Sequence, residues 1–373
     1  MGIGSISGSS IYSNFQTGDS SVIRPEGFEG SSQDVYVPDD SKDFAQEKAF
    51  SDAGKLFMAH KKRHGGNHGH PKTGGPRGPQ RGGEVGRVQP GEVNMYPNRP
   101  GYDKSFLGTE LPLPTLGDSI RDKVATRLDK PGEIELTYTN FSVVMNKERK
   151  QCFYTICNVD GKTHVDVPRD GSWQIDGRIP RDQQLGNEAY SNNDIDKGHM
   201  VRRLDPCWGD DPRKASLDTF SYCNATLQHA DLNQQEWLNL EDHVLDSAVS
   251  GRERYTVITG PIFSDNDPKF TNNGRMQEPA QIPMKFFKTV VWADEKTGEL
   301  RSASFVLSQE DIINGDKSLG LFKAFRPGQF EIYQIPQSQL EEMTDLHFGN
   351  IGDITETPVK LTADNDYAPQ IKK

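Results

Sequence analysis

The sequence predicts an α+β protein built around a mainly antiparallel sheet and preceded by a long irregular region. Three observations predict this. Runs of β-branched and aromatic residues with alternating polarity recur from about residue 134 onward. One long amphipathic helix lies among them. The first hundred residues carry almost no periodicity.

Taken in order, residues 1–60 are rich in Ser, Gly and Asp, with one candidate short helix over Asp43–His60. Residues 61–127 read as a basic Gly/Pro/His-rich linker, which cannot build a core. Order resumes near Leu128, and residues 128–350 form the predicted catalytic domain, with 351–373 as a C-terminal tail. Ile134–Met145 alternates and is β-branched, so it predicts a strand, and Asn146–Lys150 a turn. Gln151–Asn158 predicts a second strand, antiparallel to the first. Further strands are expected over Tyr255–Phe263, Phe286–Trp292, Leu300–Leu307 and Phe330–Ile335. Glu236–Ser250, with Trp237, Leu240, Val244, Leu245 and Ala248 on one stripe, predicts an amphipathic helix, and Ser338–Phe348 another.

The chain has 373 residues and a formal net charge of −11. Residues 1–60 carry −5, residues 61–104 carry +6, and the remainder carries −12. An acidic body disfavours a general nucleic-acid surface. Lys197, Arg202, Arg203, Arg213 and Lys214 nevertheless gather positive charge close together in sequence, and the 61–104 tether could add non-specific affinity. No apolar run approaches a membrane span, and the Met1–Gly8 start has neither a basic head nor an apolar stretch. The expected location is therefore the cytoplasm of the producing cell, or export by a route that needs no such signal. Four cysteines, Cys152, Cys157, Cys207 and Cys223, are too few for a disulfide framework and match no common zinc spacing. Cys152 and Cys157 should face opposite sides of their strand. Buried free thiols are the expectation.

The segment Asp196-Lys197-Gly198-His199 carries the chemistry. Alone, a histidine in a turn is ordinarily structural. Here Gly198 would permit a sharp turn, Lys197 brings positive charge for a phosphate, and His199 can accept a proton from water near pH 7. Asn224 is an ordinary turn residue by itself, or a group that orients His199 or a substrate oxygen. Asn233 suits a helix cap, or a hard oxygen ligand for Mg²⁺, which keeps waters and takes phosphate oxygens from its substrate. Glu241 lies eight residues on, about two turns further along the helix, where it is an exposed helical glutamate or a partner of metal-bound water. Arg202, Arg203, Gln228 and His229 are candidate contacts to a nucleic-acid backbone.

Read together, Asp196-Lys197-Gly198-His199, Asn224-Ala225-Thr226-Leu227-Gln228, Asp231-Leu232-Asn233-Gln234, Trp237 and Leu240-Glu241 resemble the DNA/RNA non-specific endonucleases of the ββα-metal fold. The likeness runs over roughly residues 133–348 and includes Asn158–Gly161, Gly260–Phe263 and Ile282–Phe287. It implies a ββα-metal finger carrying His199 as general base, Asn233 as the direct metal ligand, Glu241 organising the metal's waters and Asn224 positioning histidine and substrate. Lys197 stands where the family pattern has arginine, keeping the charge without the bidentate fork, and Leu227 stands where it often has proline. The implied cofactor is Mg²⁺, with Mn²⁺ an acceptable substitute. The implied substrates are DNA and RNA, cut to 5′-phosphate and 3′-hydroxyl ends. An inhibitor, immunity protein or delivery partner could engage residues 1–104. The alternative is a catalytically weak nucleic-acid-binding scaffold with a degenerate nuclease fold.

Overall fold

The computed structural model describes residues 96–234, 236–310, 332–356 and 359–361. The expected short helix over Asp43–His60, the tether as far as residue 95, the first two residues of the Phe330 strand and the tail beyond 361 lie outside the described residues. In chain order the strands are β1 (Thr115–Leu116), β2 (Glu135–Thr137), β3 (Phe141–Asn146), β4 (Gln151–Asp160), β5 (Ile195–His199), β6 (Ala225–His229), β7 (Arg254–Ile262), β8 (Lys269–Phe270) and β9 (Ala280–Gln281). They continue with β10 (Lys285–Ala293), β11 (Leu300–Ser308), β12 (Ile332–Ile335), β13 (Leu346–His347), β14 (Gly352–Asp353) and β15 (Val359–Leu361). The helices are α1 (Asn187–Tyr190), α2 (Pro212–Asp218), α3 (Ala230–Gln234), α4 (Glu236–Gly251) and α5 (Gln337–Thr344). Among the described residues, no helix is long and apolar enough to cross a membrane.

The main sheet runs β15-β12-β11-β10-β7-β4-β3-β2, with β14 added in parallel to β11. Its other pairings are antiparallel. The central strands are apolar on both sides because both faces are covered. Phe286 and Val290 of β10 join Trp237, Leu240 and Val244 of α4 in one core. The intervening Phe287 and Val291 join Leu111, Leu116, Leu340 and Phe348 in the other. The mixed α+β architecture and its antiparallel sheet agree with the sequence expectation.

Four local features differ from that expectation, each for a physical reason. Ile134–Met145 is not one strand. Asn140 adopts a left-handed φ of 68°, which asparagine tolerates, and the segment folds back as β2 against β3. Cys152 and Cys157 do not face opposite sides. Val144 pairs with Tyr154 and Met145 with Cys152, so Phe153 is an extra residue that resets the alternation, and both thiols enter the α4-side core. The helix expected over Ser338–Phe348 stops at Thr344, because Asp345 turns left-handed with φ 52° and Leu346–His347 pairs with Thr115–Leu116. Finally, residues 96–127, read as linker, pack on the body: Tyr102, Leu111 and Leu116 are buried. At the other end, Gly352–Asp353 and Val359–Leu361, read as tail, extend the sheet.

The long connection from β4 to β5 is fixed by a buried ion pair. Arg178 Nη2 lies 2.6 Å from Asp176 Oδ2, and both side chains are almost fully buried. The same carboxylate accepts the Tyr138 hydroxyl at 2.6 Å, and Arg178 Nη1 donates to the Thr137 carbonyl at 2.7 Å. The guanidinium also lies 4.7 Å from the rings of Tyr96 and Tyr138. Removing one partner of such a pair strands the other charge in the interior. Asp176→Ala is therefore expected to cost about 3–5 kcal/mol of stability. Urea unfolding checks this, and an unchanged midpoint would contradict it.

Candidate active site

The site is built on a two-stranded ribbon, β5 against β6, outside the main sheet. Asp196 pairs with Gln228, Lys197 with Leu227, Gly198 with Thr226 and His199 with Ala225. Pleating puts Lys197 and His199 on one face and Asp196 and Gly198 on the other. His199 therefore ends a strand rather than sitting in a turn. Gly198 is also needed for a different reason from the one expected. A Cβ there would lie 2.3 Å from Gln228 Oε1 and 2.6 Å from its Cβ, so only glycine lets the two strands close.

His199 sits in an aromatic niche. Its ring centroid is 4.7 Å from that of Trp173 and 5.4 Å from Phe220, which meets it edge-on. Its Nε2 is buried and has no hydrogen-bond partner among the described residues. Burial, with the positive charges of Arg169 and Arg203, pushes its pKa down to about 3. The imidazole is therefore neutral at pH 7 and, with no anion beside it among the described residues, a weaker base than an ordinary histidine. Lys197 places its Nζ 5.3 Å from the Tyr190 ring centroid. Partial burial lowers its pKa, and Asp196 opposes that shift.

Asn224 is fully buried and its amide is committed to the backbone. Its Oδ1 accepts from Val201 N at 2.8 Å, and its Nδ2 donates to the Val201 and Thr219 carbonyls at 3.0 Å. Its own carbonyl accepts Met200 N at 3.0 Å. Asn224 thus fixes the residues directly after His199 and has no donor left for a substrate. Gln228 and His229 are buried too, so neither is placed to touch a nucleic-acid backbone. Arg202 is occupied by Asp242 and by the Glu241 carbonyl. Arg203 donates to the Val167 carbonyl at 2.8 Å, yet remains close enough to His199 to influence it.

Asn233 lies in the last turn of α3. Its Nδ2 donates to Asp196 Oδ2 at 2.9 Å, which orients the amide and leaves Oδ1 as its acceptor. Glu241, one helix on, is buried rather than exposed. Its Oε1 accepts Trp237 Nε1 at 2.9 Å and lies 3.7 Å from Lys288 Nζ. Burial pushes its pKa up to about 7, against the lowering influence of Lys288 and Arg202. Among the described residues, no group of three or more His, Cys, Asp or Glu side chains could hold a metal ion. The oriented Asn233 amide oxygen is a hard donor of the kind that a cation such as Mg²⁺ accepts. It does not suit zinc.

Three contributors have no strong signal in the sequence. Arg169, exposed, lies 5.4 Å from the Phe220 ring centroid. Trp173 covers His199, and Lys288 faces Glu241. Arg169 and Trp173 come from the irregular β4–β5 connection. Lys288 is hidden inside an apolar strand, where a lone lysine in Phe286–Val291 is the available clue.

Residues 124–352 match the profile of the DNA/RNA non-specific endonucleases. An uncharacterized protein, y4fB, of Sinorhizobium fredii (strain NBRC 101917 / NGR234) is 32% identical over 275 residues. The match covers 69% of this chain and 40% of that relative, so it spans less than half of the relative's length. A chain in the crystal structure of the EndoG/EndoGI complex aligns with 16% identity and a TM-score of 0.45. That alignment covers 58% of this chain and 85% of the other.

The depressed histidine pKa has a consequence for stability. Below its ordinary value of 6.5 the imidazole takes a proton in the unfolded chain, but in the folded chain it does so only near 3. Stability from this group is therefore lost as pH falls from 6.5 towards 3. His199→Phe, which cannot titrate, is expected to lose less stability than the parent between about pH 6.5 and about pH 4 by urea unfolding. Parallel curves would show that the niche does not disfavour the imidazolium.

Proposed function

The chain belongs to the DNA/RNA non-specific endonuclease family, and from that premise we propose that it is a Mg²⁺-dependent endonuclease that hydrolyses phosphodiester bonds of DNA and RNA to 5′-phosphate and 3′-hydroxyl ends. The observation that carries this is the ribbon itself. The β5–β6 ribbon presents a neutral, half-buried His199 and, through Asp196, an oriented Asn233 amide.

His199 acts as general base, taking the proton of the water that attacks phosphorus. Arg169 and Lys197 supply positive charge to the scissile phosphate. Its negative charge in turn offsets Arg169 and Arg203 around the imidazole, raising the histidine's basicity when substrate is in place. Asn233 Oδ1 would hold the metal, and Glu241 would accept hydrogen bonds from waters around it. A bound Mg²⁺ would supply charge stabilisation at the phosphoryl oxygens and at the departing 3′ oxygen. Asn224 contributes by fixing the backbone after His199, without touching substrate.

Purified protein is expected to cut plasmid DNA and RNA when Mg²⁺ is added and to stop on chelation. His199→Ala should lower the rate by at least about 100-fold with the fold intact by circular dichroism. Asn233→Ala should raise the Mg²⁺ concentration needed for half-maximal rate. Parental cutting by the histidine variant would overturn its role as base, and an unchanged Mg²⁺ requirement would overturn the ligand assignment.

A further inference from the structure

Lys288 sits mid-strand in β10, with its side chain 1% exposed. An interior ammonium is costly unless it is met by partners, and a methionine or leucine would fill the same volume without that cost. Its partners converge from two other elements. Thr259, opposite on β7, receives Nζ at 3.1 Å, Glu241 Oε1 of α4 lies 3.7 Å away, and the Trp237 ring centroid is 4.9 Å away. Trp237 Nε1 donates to that same glutamate oxygen. Glu241 Oε1 is therefore located by an indole from its own helix and by an ammonium from the sheet beneath.

We propose that Lys288 is a positioning residue for the nuclease reaction: from the sheet, it holds the Glu241 carboxylate charged and oriented. This rests on the nuclease function proposed above. The other charged groups facing Glu241 are Arg202 and Asp205, both from the segment after β5. Arg202 is drawn outward to Asp242, and Asp205 is a buried carboxylate that disfavours a second negative charge. Lys288 is thus the larger of the two cationic influences that oppose the desolvation of Glu241, ahead of Arg202.

The test uses the full chain. Lys288→Met keeps the length and apolar bulk and removes the charge. The expected variant is folded by circular dichroism and at least about tenfold slower on plasmid DNA near pH 7. Its acid limb should move up by about 1–3 pH units, so that activity recovers towards about pH 9. A purely structural role would lower the rate at every pH alike. A thermal-melting cycle with Glu241→Gln and the double variant Lys288→Met/Glu241→Gln reads the pair without reference to activity. The double variant should lose less than the two single losses added together, because neither charge is left stranded. An unshifted pH profile, or additive melting losses, would overturn the role of Lys288. A parent protein that cuts neither DNA nor RNA would instead overturn the nuclease function itself, whatever the melting cycle shows.

Discussion

The geometry of the site depends on two buried glutamine side chains. The β5–β6 ribbon has an outer edge whose backbone groups would otherwise be buried without partners. Gln151 Oε1 accepts Leu227 N at 2.9 Å, while its Nε2 donates to the Gln281 carbonyl at 3.1 Å. Gln309 Nε2 donates to the Leu227 and Pro283 carbonyls, and its Oε1 accepts His229 N at 2.8 Å. Each side-chain amide substitutes for a missing neighbouring strand. The ribbon that carries His199 is thereby fastened to the ends of β4 and β11 and inherits the rigidity of the main sheet.

Charge is arranged around the ribbon in opposing ways. On the face of His199, Arg169 and Arg203 surround an imidazole that burial keeps neutral. Behind the helix, Lys288 and Arg202 offset a glutamate that burial would otherwise neutralise. Desolvation disfavours the charged form of both groups. It leaves the histidine neutral, whereas at the glutamate two cations oppose it.

Much of the fold is legible in the sequence because period-2 alternation and the α4 stripe report burial directly. The alternation over Tyr255–Phe263 predicts a strand, and β7 occupies Arg254–Ile262. The candidate motif is read from the order of His199, Asn224, Asn233 and Glu241. The rest is not, because it depends on contacts between distant segments. Nothing local to Phe153 announces an extra residue in β4, since a bulge is defined only against its partner strand. Gln228 and His229 look like polar loop residues until β6 pairs with β5 and both are buried. Asn224 has the composition of a turn, and only the fold shows its amide directed at Val201 and Thr219.

The bulge at Phe153 has a further consequence, for the thiols. It turns Cys152 and Cys157 into the same dry core as Cys223, and Cys207 is buried as well. Burial raises the pKa of all four, so almost no thiolate is available to an oxidant while the chain is folded. The folded chain therefore offers an oxidant far less thiolate than the unfolded chain does. Oxidation becomes a hazard of folding and refolding, with the bulge determining how completely the thiols are hidden once folding is complete.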